Sequence, residues 1–278
     1  MSAGLPIRTV EKPWGRDALP APFEAPAGQR IGEIWFEPPP ELLQLLVKYI
    51  FTSEKLSVQV HPNDDQARAA GADDAGGGGG KEECWLVIDA QPGATLGVGF
   101  REIVSREAMR RAAIDGSIED MLVWHPVQAG DFFYIPANTV HAIGAGVSLI
   151  EVQQNADITY RLYDYGRPRE LHLDEGIAVA KGEPHDPALR MHVPDHGTVE
   201  LADGRYFVLH RVEGTPDADL VARYDGPCLI IPRKGEVRVG GATIRPGECG
   251  IAPTLASATF SAGSQALVAR PKIAAAQA

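Results

Sequence analysis

Residues Glu54 to Asn63 read EKLSVQVHPN, and the alternation inside that stretch decides the fold. A β-strand sends successive side chains to opposite faces. Val58 and Val60 therefore share one face, and Ser57, Gln59 and His61 share the other. A face turned to water would leave the glutamine and histidine unremarkable. A face turned to the inside of a barrel would bring two hydrogen-bonding or metal-competent groups together.

The rest of the chain favours the barrel. Short runs rich in Val, Ile, Phe and Tyr recur between turn signals, among them IGEIWF, LLVKYIF, CWLVIDA, DFFYIPA, SLIEVQQ, RYFVLHRV and CLIIP. Many short strands at close spacing indicate a β-sandwich or barrel. Two stretches read as helix. SREAMRRAAIDGSIEDML follows Ser105 as N-cap and is expected to break at Gly116; the other lies near LDEGIAVAKG. GADDAGGGGG, residues 71 to 80, reads as a flexible loop, either at the mouth of a site or a tolerated insertion.

The chain also echoes itself. QAGDFFYIPANTVHAI from Gln128 aligns without gaps on RPGECGIAPTLASATF from Arg245. Gly130 then falls on Gly247, Asp131 on Glu248, Pro136 on Pro253, and His141 on Ala258. Two copies of one β unit are expected, only the first keeping its histidine. The Pro- and His-rich stretch KGEPHDPALRMHVPDHG places the division there, giving a unit over residues 1–182 and a second, degenerate unit over 183–278.

Composition excludes several functions. The 278 residues carry a formal net charge of −11, a poor match for nucleic acid or an anionic membrane. An anionic ligand must be held by local Arg and Lys. The three cysteines, Cys84, Cys228 and Cys249, form no CxxC pair, which argues against a disulfide framework or a cysteine zinc knuckle. With no apolar signal core or membrane-length stretch, a cytoplasmic protein is the expectation.

His61 at a strand end, a glutamate at the start of GKEECWLVI and His141 after IPANTV together suit zinc or iron, with Gln59 adding a neutral oxygen. Alternation leaves open whether Glu82 or Glu83 points inward. The other six histidines, His125, His172, His185, His192, His196 and His210, read as ordinary core or surface groups. A two-histidine, one-carboxylate set made of His61, Glu83 and His141 would also serve a non-haem iron oxygenase. A metal- and sugar-binding β-barrel without turnover is a third reading.

The blocks LLVKYIFTSEKLSVQVHPND, GKEECWLVI, GDFFYIPANTVHAI and EVQQNADITYRLYDYGR, with KPWGRD and IGEIW before them, resemble the signature blocks of the type I mannose-6-phosphate isomerases in their short bacterial form. They cover most of residues 10 to 180, in the family's order. The resemblance implies a mainly β fold, a cupin-type jelly-roll barrel with a few short helices. It also implies one Zn2+ per chain on Gln59, His61, Glu83 and His141, which selects Glu83 over Glu82. Arg161 and Lys81 carry over as active-site residues. Glu82 and the glycine run before Lys81 depart from the family pattern.

The implied reaction interconverts mannose 6-phosphate and fructose 6-phosphate through an enediol. It needs a cation beside the developing oxyanion, an acid and a base, and a basic hold on the phosphate. Lys81 is expected to bind a substrate oxygen or, with a lowered pKa, to shuttle protons. Glu151 and Asp157 are candidate bases, on one face with Arg161 if the strand runs unbroken from Glu151. Lys48 and Arg167 are candidate phosphate contacts. Trp14 and Trp35 are candidate walls of the sugar cleft, with core packing the stronger expectation for Trp35. The expected partner is a small phosphosugar, and the protein a monomer or small homo-oligomer.

Overall fold

The computed structural model describes residues 4–71 and 79–272. Residues 72–78 of the glycine-rich stretch lie outside the described residues. Among those described, no helix is long and apolar enough to cross a membrane, and all three cysteines are free and buried.

The protein is mainly β. Its first part contains β1 (Ile7–Arg16), β2 (Ile31–Phe36), β3 (Leu45–Phe51), β4 (Val58–Val60), β5 (Glu83–Ala90), β6 (Thr95–Phe100), β7 (Leu122–Pro126), β8 (Asp131–Ile135), β9 (His141–Ile143), β10 (Val147–Gln154), β11 (Tyr160–Tyr163) and β12 (Arg190–His192). Between them lie helices α1 (Asp64–Ala69), α2 (Arg106–Asp115), α3 (Ile118–Met121) and α4 (Leu173–Val179). One sheet runs β1-β2-β3-β10-β5-β8-β12 and faces a second, β11-β4-β9-β6-β7. All pairings are antiparallel. Both expected helical stretches form. The Ser105 hydroxyl accepts from Ala108 N, and Gly116, at φ 87°, separates α2 from α3.

The opening stretch behaves as its alternation requires. Val58 and Val60 are fully buried with Met109, Ala112 and Ile177 of the helical layer, each burial contributing about 1.5–3 kcal/mol. Gln59 faces the barrel interior. Pro62 ends the strand, and Asn63 starts α1 with a capping box to Gln66.

The second part contains β13 (Val199–Asp203), β14 (Phe207–Glu213), α5 (Ala218–Arg223), β15 (Cys228–Lys234), β16 (Val237–Val239), β17 (Ala242–Ile244), β18 (Gly250–Ala252), β19 (Ala258–Phe260) and β20 (Gln265–Pro271). Its sheets run β13-β14-β20-β15-β18 and β17-β16-β19. These repeat β2-β3-β10-β5-β8 and β7-β6-β9 in order. The echo is therefore structural: Gly130 and Gly247 both take positive φ, 95° and 90°. Asp131 and Glu248 each accept from the backbone N–H three residues earlier, at 2.8 and 2.7 Å.

The two parts meet sheet against sheet. Cys84, Leu86, Phe132, Ile150 and Val152 pack on Leu209, Leu229, Ile231, Leu267 and Ala269 in one buried cluster. This explains why β10 is buried on both faces: Ile150 and Val152 meet the second part, while Glu151 lines the interior cleft of the first.

Candidate metal centre and cleft

Three ligand-type side chains converge inside the first barrel. His61 follows β4, Glu83 opens β5 and His141 opens β9; one ligand atom from each lies within 4.8 Å of the others. Glu83 Oε1 is 3.4 Å from His141 Nε2, and Oε2 is 3.5 Å from His61 Nε2. All three residues are at most 1% exposed. The Nδ1 atoms are engaged elsewhere, His61 with Ile158 O and His141 with Thr139 O, each at 2.8 Å. Those bonds place the proton on Nδ1 and aim the Nε2 lone pairs at Glu83, the arrangement that metal-bound histidines use.

Backbone contacts hold the segments in register. Gln59 pairs with His141 across β4 and β9. Asn138, at φ 74°, donates its backbone N–H to His61 O at 2.8 Å. Gly80 lies so close to the next segment that a Cβ would fall 2.4 Å from Asp64 N. This approach lets Lys81 N bond Pro62 O at 3.0 Å and brings Lys81 beside His61. Glu82 points the other way, where its carboxylate accepts from Tyr134 OH.

The electrostatics fit a cation. Burial lowers the pKa of both histidines, with Lys81 adding to the effect at His61, so the imidazoles are neutral. Burial alone would raise the pKa of Glu83, but Lys81 and His141 outweigh it and keep the carboxyl ionised. Neither Glu83 oxygen has a well-formed hydrogen bond, although Lys81 Nζ lies 2.6 Å from Oε2. A buried carboxylate short of donors beside two neutral imidazoles is a donor set that could hold a divalent metal. Gln59 Nε2 is 3.3 Å from His141 Nε2, and its Oε1 accepts from Ser57 Oγ. Turning the amide over would present Oε1 to the same centre and let Nε2 donate to Ser57.

Above this cluster opens a cleft of about 460 Å³. Gln59, Lys81 and Glu151 line its wall nearest the buried triad, and Asp157, Arg161 and Arg169 also line it. Lys48 ion-pairs with Glu151 at 3.3 Å and sits 4.2 Å from the centre of the Trp35 ring. Trp14 lines the cleft from a buried position.

Several expectations change. Trp35 is partly exposed at the cleft, its indole N–H bonded to Glu33 at 2.6 Å, so it is not a core residue. Lys81 is not an acidified amine. Burial alone would lower its pKa, but Glu151 and then Glu83 raise it to about 12. Arg167 lies outside the cleft, tied to Asp164 at 3.0 Å and to Lys55 O at 2.7 Å. The strand from Glu151 is interrupted after Gln154, so Asp157 reaches the cleft from a loop. Arg161 makes no ion pair with Glu151 or Asp157; its Nη1 donates to Glu170 O at 3.2 Å. Lys12, Glu33, Arg169 and His172 also line the cleft and were not foreseen. The signal for Glu33 was a carboxylate inside the apolar run IGEIWF.

No protein-family model matches the chain. A protein named mannose-6-phosphate isomerase from Streptococcus mutans is 41% identical over 141 residues, 49% of this chain and 43% of that protein. Mannose-6-phosphate isomerase ManA of Bacillus subtilis is 43% identical over 141 residues, with the same coverage, 49% and 43%. The aligned stretch thus spans a little under half the length of these relatives. A solved mannose 6-phosphate isomerase from Bacillus subtilis superposes with a TM-score of 0.73 at 24% identity, covering 96% of this chain and 98% of that one. A variant of phosphomannose isomerase from Salmonella typhimurium gives 0.68 at 14% identity, covering 98% and 100%. Over about half its length the chain is similar in sequence to proteins named mannose-6-phosphate isomerase, and over nearly all of it the chain shares the fold of solved ones.

Proposed function

We propose that the protein is a zinc-dependent aldose–ketose isomerase that interconverts mannose 6-phosphate and fructose 6-phosphate by proton transfer through an enediol. One observation carries the reading: the buried His61–Glu83–His141 set lies behind a cleft lined by a cation with no carboxylate partner. Among the described residues lining the cleft, Lys12 pairs with Glu33, Lys48 and Lys81 pair with Glu151, and Arg169 pairs with Asp164. Arg161 is bonded only to a backbone carbonyl. Its guanidinium is free to take an anionic oxygen of the substrate.

Gln59, His61, Glu83 and His141 would hold the Zn2+, which supplies positive charge beside a substrate oxygen that becomes anionic during proton transfer. Lys81 stays protonated and donates a hydrogen bond from Nζ to a substrate oxygen. Four carboxylates line the cleft, Glu33, Glu151, Asp157 and Glu170, and Glu151 is the one beside Lys81. With Oε1 free of hydrogen bonds, Glu151 is the group to carry the proton between C1 and C2. Trp14 and Trp35 wall the sugar. Gln59 as a fourth ligand, together with this cationic cleft, favours the isomerase over an iron oxygenase, which needs vacant coordination positions. Residues 1–182 together with β12, which pairs with β8, form the catalytic unit in this reading, and the rest of residues 183–278 the scaffold.

The test is metal analysis of purified protein with a coupled assay on mannose 6-phosphate. Chelation is expected to abolish turnover and zinc to restore it. A protein that binds one zinc and turns over no mannose 6-phosphate would overturn the proposal. Oxygen consumption with iron bound would put the oxygenase in its place.

A further inference from the structure

Among the described residues, three lysine or arginine side chains are buried: Lys48, Lys81 and Arg211. The first two have carboxylate partners, Glu151 for both and Glu83 for Lys81. Arg211 makes no ion pair. Two of its guanidinium nitrogens donate to the carbonyls of Pro194 and Gly197. The third, Nε, is buried without a partner. A buried cation without a counter-charge is costly, more so in a low-dielectric setting.

A cavity of about 260 Å³ adjoins Arg211 where the two parts of the molecule meet. Val87 and Gly130 wall it on one side, Val193 to Asp195 on another, and Arg211, Arg233 and Gln265 on the third. The two arginines come from β14 and β15, the strands flanking β20. Arg211 and Ile231 both register with Leu267; beyond them the register shifts at Arg233, so that Gln265 stands opposite Lys234, and Arg233 and Gln265 both line the cavity. Two carboxylates are close by. Asp195 lines the cavity, and Glu213 accepts from Gln265 Nε2 and Gly197 N. Neither ion-pairs with an arginine.

We propose that this cavity is a second binding site, separate from the metal-side cleft, for a small oxyanion bearing a phosphate or carboxylate group. Planar guanidinium groups match the oxygens of both. At a net charge of −11, the protein's overall field repels anions, so selectivity rests on these two side chains. The proposal does not depend on the isomerase reading.

The test uses thermal melts of the full chain in inorganic phosphate or in acetate, against chloride at equal ionic strength. The Arg161→Ala background removes the free cation of the main cleft. At about tenfold the dissociation constant, a midpoint rise of roughly 2–3 °C is expected with phosphate, acetate or both. It should vanish in Arg161→Ala/Arg233→Gln, where the second change falls on a partly exposed side chain and circular dichroism checks that the fold is kept. Which ion gives the rise identifies the preferred chemistry. An equal rise in the single and double variants, or none with either ion, overturns the site.

Discussion

The first barrel has a strand between β3 and β5 that the second lacks. In the first, β4 brings Gln59 and His61 into the interior and pairs with β11, which carries Arg161. In the second, the chain passes from β14 to β15 through α5, and among the described residues no strand pair corresponds to β4 and β11. The remaining strands correspond, so matching positions can be read from the register. Glu83 stands opposite Ile135, and Cys228 opposite Ala252. Lys48 stands opposite Glu151, and His210 opposite Val268. His141 aligns with Ala258. Where the first barrel has carboxylates, a cation and imidazole, the second has Cys228, Val268, His210 and Ala258. Tyr224 fills the space with its hydroxyl on His210 Nδ1 and Val268 O, both at 2.9 Å. The jelly roll needs neither the cleft nor the ligands, so the site is an addition to a scaffold that holds without it.

The strongest way to break the comparison is to make the first barrel resemble the second. His141→Ala installs the residue found at the matching position. Activity and zinc affinity should fall by more than the roughly 100-fold typical of losing an outer partner, while circular dichroism stays native. Metal titration checks the affinity, and tight zinc binding by this variant would remove His141 from the ligand set. Arg161→Ala is next. It should lower kcat/KM for mannose 6-phosphate by roughly 10–100-fold, the worth of a hydrogen bond to a charged group, and leave zinc stoichiometry unchanged. Steady-state kinetics decide it.

A third change probes the seam. Tyr134→Phe removes the hydroxyl that meets Glu82, next to the proposed ligand Glu83. Denaturant unfolding should show a loss of about 1–3 kcal/mol, with zinc affinity falling less than in His141→Ala. The smallest effect belongs to the second barrel. Burial, then Arg223, lowers the pKa of His210. As pH falls through the ordinary histidine value of 6.5, the unfolded chain takes up a proton before the folded one does. The stability held above that pH is therefore lost below it. His210→Gln should flatten this acid slope by less than about 1.4 kcal/mol per pH unit and leave activity intact. Melts between pH 7 and 5 measure it.

Much of this was legible from local pattern. Alternation in LSVQVH separated the valines from Gln59 and His61, and the positive-φ glycines at 130 and 247 marked the repeat. What stayed hidden depends on which strands become neighbours. Lys48 meets Glu151 because β3 pairs with β10, and it covers Trp35 because β2 pairs with β3. Neither partnership appears in sequence spacing, so Trp35 read more as core than as cleft wall, and Lys48 read as a phosphate contact without its carboxylate partner. The break after Gln154 is marked by Asn155 and Asp157, poor strand formers, but nothing in the spacing says that the loop carries Asp157 to the cleft. Arg167 failed for a related reason: a cation's role depends on its carboxylates, and Asp164 and Glu54 claim this one.

The seam between the two parts also bears on how the protein is made. Every proposed zinc ligand has been translated by residue 141, yet the apolar face behind them is covered by Leu209, Leu229, Ile231 and Leu267. Until the ribosome has delivered those residues, the nascent chain presents Leu86, Phe132 and Ile150 to the surrounding water. Chaperones that recognise greasy surfaces should engage it in that interval, and a chain stopped near residue 190 should aggregate despite carrying a full set of ligands.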